Sequence, residues 1–284
     1  MTGVQVGMLS GNRLHLQHGP IDLVIGVDGD RAIAFDAARS RFDTVLGGLV
    51  TELDDLRQPL HPDSPAPAGA VAKRMHTAAL PFCDTFLTRM AAVAGAVADE
   101  VLQAMTTATP LRRAYVNNGG DIALHLAKGE RFTMAMAGLD GGNLGRVEIS
   151  HNDGIGGIAT SGQGGRSLSF GIVESVSILA KNAATADVAA TLVANAVDLP
   201  NHPAIHSAPA HDLRDDTDLG DRPVVTRCGP LSPADIKTAL DNGTRIARAM
   251  LASQKIHAAA LFLQGQNRTL GSQFTPQHRT IAHA

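Results

Sequence analysis

Three short segments between residues 112 and 197 decide the fold prediction: Asn117–Asp121 (NNGGD), Ile158–Gly162 (IATSG) and Ala186–Thr191 (ADVAAT). Each segment places glycine or small polar residues at the edge of an apolar run, where a backbone can approach a ligand closely. We therefore expect the three segments to converge on one site, with the rest of the chain as its scaffold.

Runs of alternating or β-branched apolar residues predict strands around these segments. Those nearest to the first two segments are Arg113–Asn117, Ile122–Leu126, Phe132–Ala137, Gly145–Ser150 and Gly157–Thr160. Closer to the N-terminus, three further strands are expected at Arg13–Gln17, Ile21–Ile25 and Arg31–Phe35. Gly19-Pro20 and Asp28–Asp30 separate them, and both are typical turn sequences.

Helical spacing of apolar residues predicts helices at about Asp36–Leu56, Ala70–Ala79, Cys83–Met105, Ala186–Val197 and Ser232–Ser253. Thr185 and Ser232 are the expected caps of the last two helices. Because strands occur in runs with helices between the runs, we predict an α+β fold with antiparallel or mixed sheets and packed helices. Residues 1–284 are expected to form a single domain with a loose tail from about residue 265.

The composition excludes several classes of function. A net charge of −3, without a Lys/Arg-rich run, argues against nucleic acid as a partner. No apolar run reaches the roughly 18 residues that a membrane span needs. Residues 1–19 lack the pattern of a signal peptide, and Cys83 and Cys228 fit neither a metal pair nor a disulfide framework. We expect a cytoplasmic protein whose partner is a small molecule.

The first segment suits a nucleotide. Two consecutive glycines, Gly119 and Gly120, free backbone amides to face an anion, and Asn118 precedes them. The carboxylate of Asp121 can accept a hydrogen bond from a ribose hydroxyl or a ring nitrogen. The same residues also suit a tight Asn-Gly turn that binds no ligand.

The second segment begins a glycine-rich loop. Thr160 and Ser161 offer two hydroxyls, Gly162 opens the loop, and Arg166 offers a guanidinium. This set suits phosphate binding, and a solvent-exposed loop without a ligand is the alternative. Ser161 does not match a hydrolytic nucleophile, because Ala159 stands where the Gly-x-Ser-x-Gly elbow has its first glycine.

The third segment offers oxygen ligands for a metal ion. Asp187 and Thr191 are four residues apart, so one helix face presents a carboxylate and a hydroxyl together. Both are hard donors of the kind that Mg²⁺ prefers. The alternative is structural, because the helix dipole alone favours an aspartate near a helix start.

In this order, the three segments resemble those of the ApbE family, the FAD:protein FMN transferases. That family carries an Asn/Gly-Gly-Asp/Asn turn, an Ala-Thr-Ser-Gly segment and an Ala-Asp-x-x-Ala-Thr helix start. The chain is more similar to an uncharacterised group of ApbE-like proteins with UPF names, in which His18–Leu23, Met90–Asp99, Tyr115–Asp121 and Asn195–Pro203 also recur. This resemblance covers nearly the whole chain and implies an ApbE-like fold.

The resemblance also implies cofactors and ligands. In the transferases the last segment binds Mg²⁺ through its Asp, its Thr and a nearby backbone carbonyl, which correspond here to Asp187, Thr191 and the carbonyl of Ala190. The metal polarises the pyrophosphate of FAD, so that FMN passes to a Thr of a target protein and AMP leaves. FAD and Mg²⁺ are therefore the expected cofactors.

One interval departs from the transferase pattern. The transferases have a His-x-x-Asp-Pro-x-Thr-Gly segment between the second and third motifs, whereas Gly164–Glu174 contains neither the His nor the Asp-Pro. One function left open is an Mg²⁺-dependent enzyme that transfers FMN or cleaves a pyrophosphate. A second is a flavin- or nucleotide-binding protein without transferase activity. A third is a structural homo-oligomer, because the small residues of Met90–Ala98 let a second helix or a ligand lie unusually close.

Overall fold

The computed structural model describes residues 3–137, 142–165 and 167–276, and it divides the chain into two compact units. The first unit comprises the described residues up to Arg131 together with Ser150–Ala159 and Leu179–Val188. The second comprises Phe132–Ile149, Thr160–Ile178 and the described residues from Ala189 onward. The expectation of a single domain stays a prediction.

The secondary structure consists of runs of strands with helices between the runs. The strands are β1 (Gln5–Leu9), β2 (Arg13–His18), β3 (Ile21–Gly29), β4 (Leu111–Asn118), β5 (Asp121–Leu126), β6 (Arg131–Ala137), β7 (Asn143–Ser150), β8 (Gly157–Ser161), β9 (Ser175–Ala180), β10 (Ile205–Pro209), β11 (Pro223–Cys228), β12 (Ala258–Leu263), β13 (Gln266–Leu270) and β14 (Phe274–Pro276). The helices are α1 (Arg31–Phe42), α2 (Val45–Thr51), α3 (Leu53–Leu56), α4 (Ala70–Ala79), α5 (Val93–Ala108), α6 (Ala183–Ala196), α7 (Ala210–Leu213) and α8 (Pro233–Ala252). The predicted α+β class is confirmed.

The first unit is built on an antiparallel sheet with the strand order β1-β2-β3-β4-β5-β8. Its registers pair Leu16 with Leu23 and Ile25 with Val116, and all four side chains are buried. Helix α5 packs against β4 and β5, while α1 and α4 pack against α5. The core of this unit therefore lies between α5 and the sheet.

The second unit contains three sets of strands. β9, β12 and β13 are neighbours in that order, β14, β7 and β6 form a three-stranded sheet, and β10 pairs with β11. Helix α8 packs against β12, whose six residues are all buried. Ser232 caps α8 as predicted, because its side chain accepts the N–H of Asp235 at 3.2 Å.

Three helical regions differ from the sequence prediction. Arg31–Phe35, predicted as a strand, begins α1, because Asp30 accepts the Ile33 N–H at 3.2 Å and caps a helix there. The single helix expected over about residues 36–56 is instead the series α1, α2 and α3. Helix α5, predicted from Cys83, begins at Val93 after a 3₁₀ turn at Arg89–Ala92.

The C-terminal stretch is more regular than the expected loose tail. From Gln266 the chain pairs antiparallel with β12, and Phe274 pairs with Val147 of β7. Polar side chains do not prevent this pairing, because the backbone supplies the hydrogen bonds of a strand ladder. Residues 277–284 lie outside the described part of the chain. None of the helices described is both long enough and apolar enough to cross a membrane.

Glycines allow α5 and β8 to contact the start of α6. A Cβ at Gly95 would lie less than 3.0 Å from the backbone of Ala183 and Ala184, and a Cβ at Gly157 would lie as close to Ala183. Real Cβ atoms essentially never make such contacts, so these positions require glycine. The small residues around Gly95 thus contact a second helix of the same chain.

Substituting Gly95 with alanine tests this contact. We expect Gly95→Ala to lower the free energy of unfolding by about 1–3 kcal/mol, because backbone atoms cannot move aside as a flexible side chain can. Gly47→Ala is the matched control, since Gly47 lies in α2 with nothing within 4 Å of an added Cβ. That control should gain roughly 0.5–1 kcal/mol. Urea unfolding followed by circular dichroism measures both, and equal effects would contradict the close contact.

Candidate functional site

The carboxylate of Asp187 lies against the N-terminal part of α5. Asp187 is in the second turn of α6, is half-buried, and accepts a hydrogen bond on Oδ2 from the Gly95 N–H at 3.0 Å. Burial raises the pKa of Asp187 well above its ordinary value, and the negative charge of Asp121 raises it further. Hydrogen bonds from the N–H groups of Gly95 and Ala94 oppose that increase. Ionisation of Asp187 is therefore unfavourable unless a cation compensates it.

The first segment forms the two-residue hairpin between β4 and β5. Asn118 pairs with Asp121, and the φ angles of Gly119 and Gly120 are 67° and 115°. Positive φ at both central residues is what a tight hairpin turn needs. The Gly120 N–H donates to Asn117 Oδ1 at 2.9 Å, so this amide is engaged within the turn. The segment therefore has the geometry of the turn that the sequence offered as an alternative.

Asn118 links this hairpin to α5. Its side chain is buried, and Nδ2 donates to the carbonyl of Ala94 at 3.1 Å. The N–H of the next residue of α5, Gly95, donates to the carboxylate of Asp187. Within the first unit, the structure thus brings the first segment and Asp187 to the same turn of α5.

Asp99 is a residue of this region that the sequence analysis missed. Its two carboxylate oxygens accept the N–H groups of Ala183 at 3.0 Å and Ala184 at 2.9 Å, so α5 caps the start of α6. Asn182 Oδ1 accepts the Thr185 N–H at 2.8 Å, so Asn182 is the capping residue and the prediction of Thr185 was wrong. Asp99 is 84 residues from Ala183, and no local sequence pattern signals such a cap.

The second segment belongs to the second unit. Thr160 is exposed, Ser161 is half-buried and Gly162 is buried at the end of β8. The Thr160 Oγ1 lies 3.0 Å from Ser177 Oγ. The backbone N–H groups of residues 163–165 each donate to a carbonyl of the same unit, so they are not free to bind a phosphate. Arg166, the expected guanidinium, lies outside the described residues.

The remaining candidates of the third segment also belong to the second unit. Ala190 is buried and Thr191 is half-buried. Helix α6 is continuous through both residues, so the carbonyl of Ala190 has the N–H of Ala194 as its regular helical partner. The ligand set of Asp187, Ala190 and Thr191 therefore stays a prediction.

A metal bound by several acidic or histidine side chains has no support in the described residues. Within them, no group of three or more His, Cys, Asp or Glu side chains could hold a metal ion. A cation at Asp187 would need hydroxyl, carbonyl or water oxygens for its other ligands. Mg²⁺ accepts such sets, because it keeps several waters when proteins bind it.

The interval without the transferase His and Asp-Pro packs on the C-terminal half of α6. The Phe170 N–H donates to Asn195 Oδ1 at 3.0 Å, and the Ile172 N–H donates to the Val197 carbonyl at 2.8 Å. A Cβ at Gly171 would lie within 3.0 Å of the Ala194 carbonyl oxygen. In this chain the interval therefore serves as a packing segment.

Comparison with known proteins identifies relatives of the chain. A family model described as AbpE bacteria matches residues 6–269. A UPF0280 protein of Methanobrevibacter smithii is 33% identical over 131 residues, covering 44% of this chain and 51% of that protein. A UPF0280 protein of Methanothrix thermoacetophila is 38% identical over 114 residues, covering 38% and 45%. The chain thus matches about half the length of these curated relatives.

Solved structures of ApbE proteins are also similar. The flavinyl transferase ApbE of Pseudomonas stutzeri, in its apo form, has 13% identity and a TM-score of 0.41, with 97% of this chain and 95% of that chain covered. The flavin transferase ApbE of Vibrio cholerae has 12% identity and a TM-score of 0.41, with 95% and 97% covered.

The pKa of Asp99 gives a test of its capping role. Burial raises this pKa from 3.8 to about 6, against the lowering effects of the Ala184 and Ala183 N–H groups and of Arg74. Between these two pH values the folded state binds more protons than the unfolded state, so the contribution of Asp99 to stability falls as pH rises. Asp99→Asn removes that ionisation and keeps the side-chain shape.

From pH 4 to pH 7, we therefore expect the stability of Asp99→Asn to improve relative to wild type. The expected change is on the order of 2 kcal/mol, since one pKa unit corresponds to about 1.4 kcal/mol. Thermal unfolding across this range measures it, with Asp63→Asn, an exposed loop residue, as the control. A constant difference between Asp99→Asn and wild type across the range would show that Asp99 does not titrate as described.

Proposed function

The chain belongs to the AbpE bacteria family of ApbE-like proteins, and from that membership we propose that it binds FAD or a related nucleotide with Mg²⁺ and transfers FMN. The observation that carries this proposal is the environment of Asp187. Its carboxylate is desolvated, is fixed by the Gly95 N–H at 3.0 Å and faces the charge of Asp121. A divalent cation fits this environment, because it would offset the repulsion and prefers carboxylate oxygen.

The proposed roles follow from the positions of the residues. Asp187 is the metal ligand that the geometry supports, and the resemblance adds Thr191 and the carbonyl of Ala190. Asn118 and Gly95 hold the backbone around Asp187 through their hydrogen bonds. The bound ion would supply positive charge to the phosphate oxygens of the nucleotide.

The proposal also includes the residues that would line the nucleotide. They are Asn118, Gly119, Gly120, Asp121, Thr160, Ser161 and Gly162. Asn118 and Gly120 contribute through the shape of the hairpin, since the Asn118 side chain and the Gly120 amide have partners within the protein.

The proposed reaction is a phosphoryl-type transfer. The hydroxyl oxygen of an acceptor forms a bond to the phosphorus on the FMN side of FAD, and the bond from that phosphorus to the bridging oxygen breaks. AMP leaves with the bridging oxygen, and the hydroxyl proton passes to a base or to water. With a protein Thr as acceptor the product is a flavinylated protein, and with water the products are FMN and AMP.

Release of AMP tests the reaction. We expect the protein with FAD, Mg²⁺ and Thr-containing acceptor peptides to release AMP, measured by chromatography. Asp187→Asn should reduce the rate at least 100-fold, because one ligand charge of the proposed metal site is lost. Asp63→Asn should react like wild type, since Asp63 is exposed in a loop. No AMP from wild type with any acceptor or with water would eliminate the transferase and the pyrophosphate-cleaving activity alike.

Direct metal binding provides a second test. We expect calorimetric titration to detect Mg²⁺ binding to wild type and to Asp63→Asn, and none to Asp187→Asn. Because the metal binds the ionised carboxylate and burial raises the pKa of Asp187, Mg²⁺ affinity should increase as pH rises. Binding that is independent of pH, or equal in Asp187→Asn, would place the metal elsewhere.

A binding protein without transferase activity is the second candidate. The packing of Phe170 and Ile172 on the end of α6, in the interval where the transferases carry His and Asp-Pro, favours it. Equilibrium dialysis with FAD separates the candidates, because FAD binding without AMP release supports only this one. If FAD does not bind, the structural homo-oligomer is the candidate that remains. That oligomer, the exclusion of nucleic acid and a cytoplasmic location stay predictions.

A further inference from the structure

A surface cavity of about 270 Å³ lies in the first unit, beside the start of α6. One wall is α4, which contributes Lys73, Arg74 and Thr77. The opposite wall is formed by Lys181 and Asn182, together with the first turn of α6. At about 30 Å³ per molecule of liquid water, this space corresponds to about nine waters. It therefore has room for a small polar ligand.

The cationic groups of the cavity point to a negatively charged ligand. Lys73 and Lys181 are exposed, and neither ammonium has an ion-pair partner within the described residues. The guanidinium of Arg74 is engaged, because its Nε donates to Glu100 Oε2 at 2.5 Å and its Nη2 donates to Gln103 Oε1. Two ammonium groups thus remain to attract an anion.

The carboxylate in the wall offsets only part of this charge. Asp99 also lines the cavity, but its two oxygens accept the N–H groups of Ala183 and Ala184. The Thr185 N–H donates to Asn182 Oδ1 at 2.8 Å. The start of α6 is therefore capped internally, and a ligand would bind to side chains of the cavity and not to the helix terminus.

The neutral donors suit an anion with several acceptor oxygens. Thr77 and Thr185 contribute hydroxyls. The Asn182 side-chain oxygen already accepts the Thr185 N–H, and its NH₂ group remains as a donor. A phosphate group offers three or four acceptor oxygens in a tetrahedral arrangement, and lysine is a common phosphate ligand. We propose that this cavity binds a phosphate-bearing small molecule, through Lys73 and Lys181. The proposal does not rest on the flavin transferase function.

Calorimetric titration of the full chain tests the proposal. The probes are inorganic phosphate, pyrophosphate and glycerol phosphate, with EDTA present so that no divalent metal contributes. Wild type should bind at least one probe saturably, and the preferred probe shows whether the site takes free phosphate, a diphosphate or a monoester. Lys73→Gln/Lys181→Gln should bind at least tenfold more weakly, because both ammonium groups are replaced by neutral amides.

Three controls make the result specific. Lys128→Gln removes an exposed lysine from the turn between β5 and β6 and should bind like wild type. Asp63→Asn, which replaces an exposed loop carboxylate, should also bind like wild type. Circular dichroism and thermal unfolding should show that the double variant is folded. Absence of saturable binding to wild type would overturn the proposal, as would equal affinity in the double variant or an equal loss in Lys128→Gln.

Discussion

The close contact between Gly95 of α5 and the backbone at Ala183 and Ala184 is the constraint on which the first unit depends. Gly157 imposes the same constraint from β8, so the start of α6 is contacted by a helix and a strand that carry no side chain there. A Cβ at either position would push the start of α6 away from its neighbour until the hydrogen bonds between them broke, because backbone atoms cannot rotate away as a side chain can. The absence of two side chains therefore sets the position of the start of α6 within the first unit.

This proximity determines the electrostatics of the region. Asp99 reaches the N–H groups of Ala183 and Ala184, and Asp187 reaches the N–H of Gly95, only because the two helices almost touch. Both carboxylates lose water, which raises both pKa values. Their surroundings nevertheless differ. Both carboxylates accept two backbone N–H groups, but the positive charge of Arg74 favours ionisation of Asp99, whereas the negative charge of Asp121 disfavours ionisation of Asp187. Ionised Asp99 therefore has a compensating charge within the protein, whereas ionisation of Asp187 would need a cation from outside the chain.

Local patterns predicted the elements that depend on neighbouring residues. The Asn-Gly-Gly-Asp turn, the Ser-Pro start of α8 and the helix at Ala70–Ala79 are all confirmed, because each follows from residues a few positions apart. Arg31–Phe35 was mistaken for a strand, because periodicity alone does not assign such a short apolar run, whereas the Asp30 cap favours a helix. This error shows how one side-chain hydrogen bond can override a short periodic pattern.

Features that join distant parts of the chain could not be predicted in the same way. The sequence identified the small residues near Gly95 as a contact surface, but it did not indicate that the partner is the start of α6. The cap from Asp99 spans 84 residues, and Lys73 and Lys181 line one cavity from separate elements. In a single sequence, nothing distinguishes such residues from other exposed lysines and helical aspartates. The motif residues were found because glycines and small polar residues leave a local signal, whereas their partners leave none.

The interval Gly164–Glu174 limits how the transfer reaction can proceed. A hydroxyl that attacks phosphorus must lose its proton, and the interval holds neither a His nor an Asp to accept it, so that Glu174 is its only carboxylate. Two of its backbone N–H groups, those of Phe170 and Ile172, also donate hydrogen bonds to the end of α6. If this chain transfers FMN, the proton must therefore pass to water, to Glu174 or to a group outside the interval. Because a metal ion can activate a pyrophosphate without any protein base, an ion at Asp187 would matter more for the proposed reaction than the missing His and Asp-Pro.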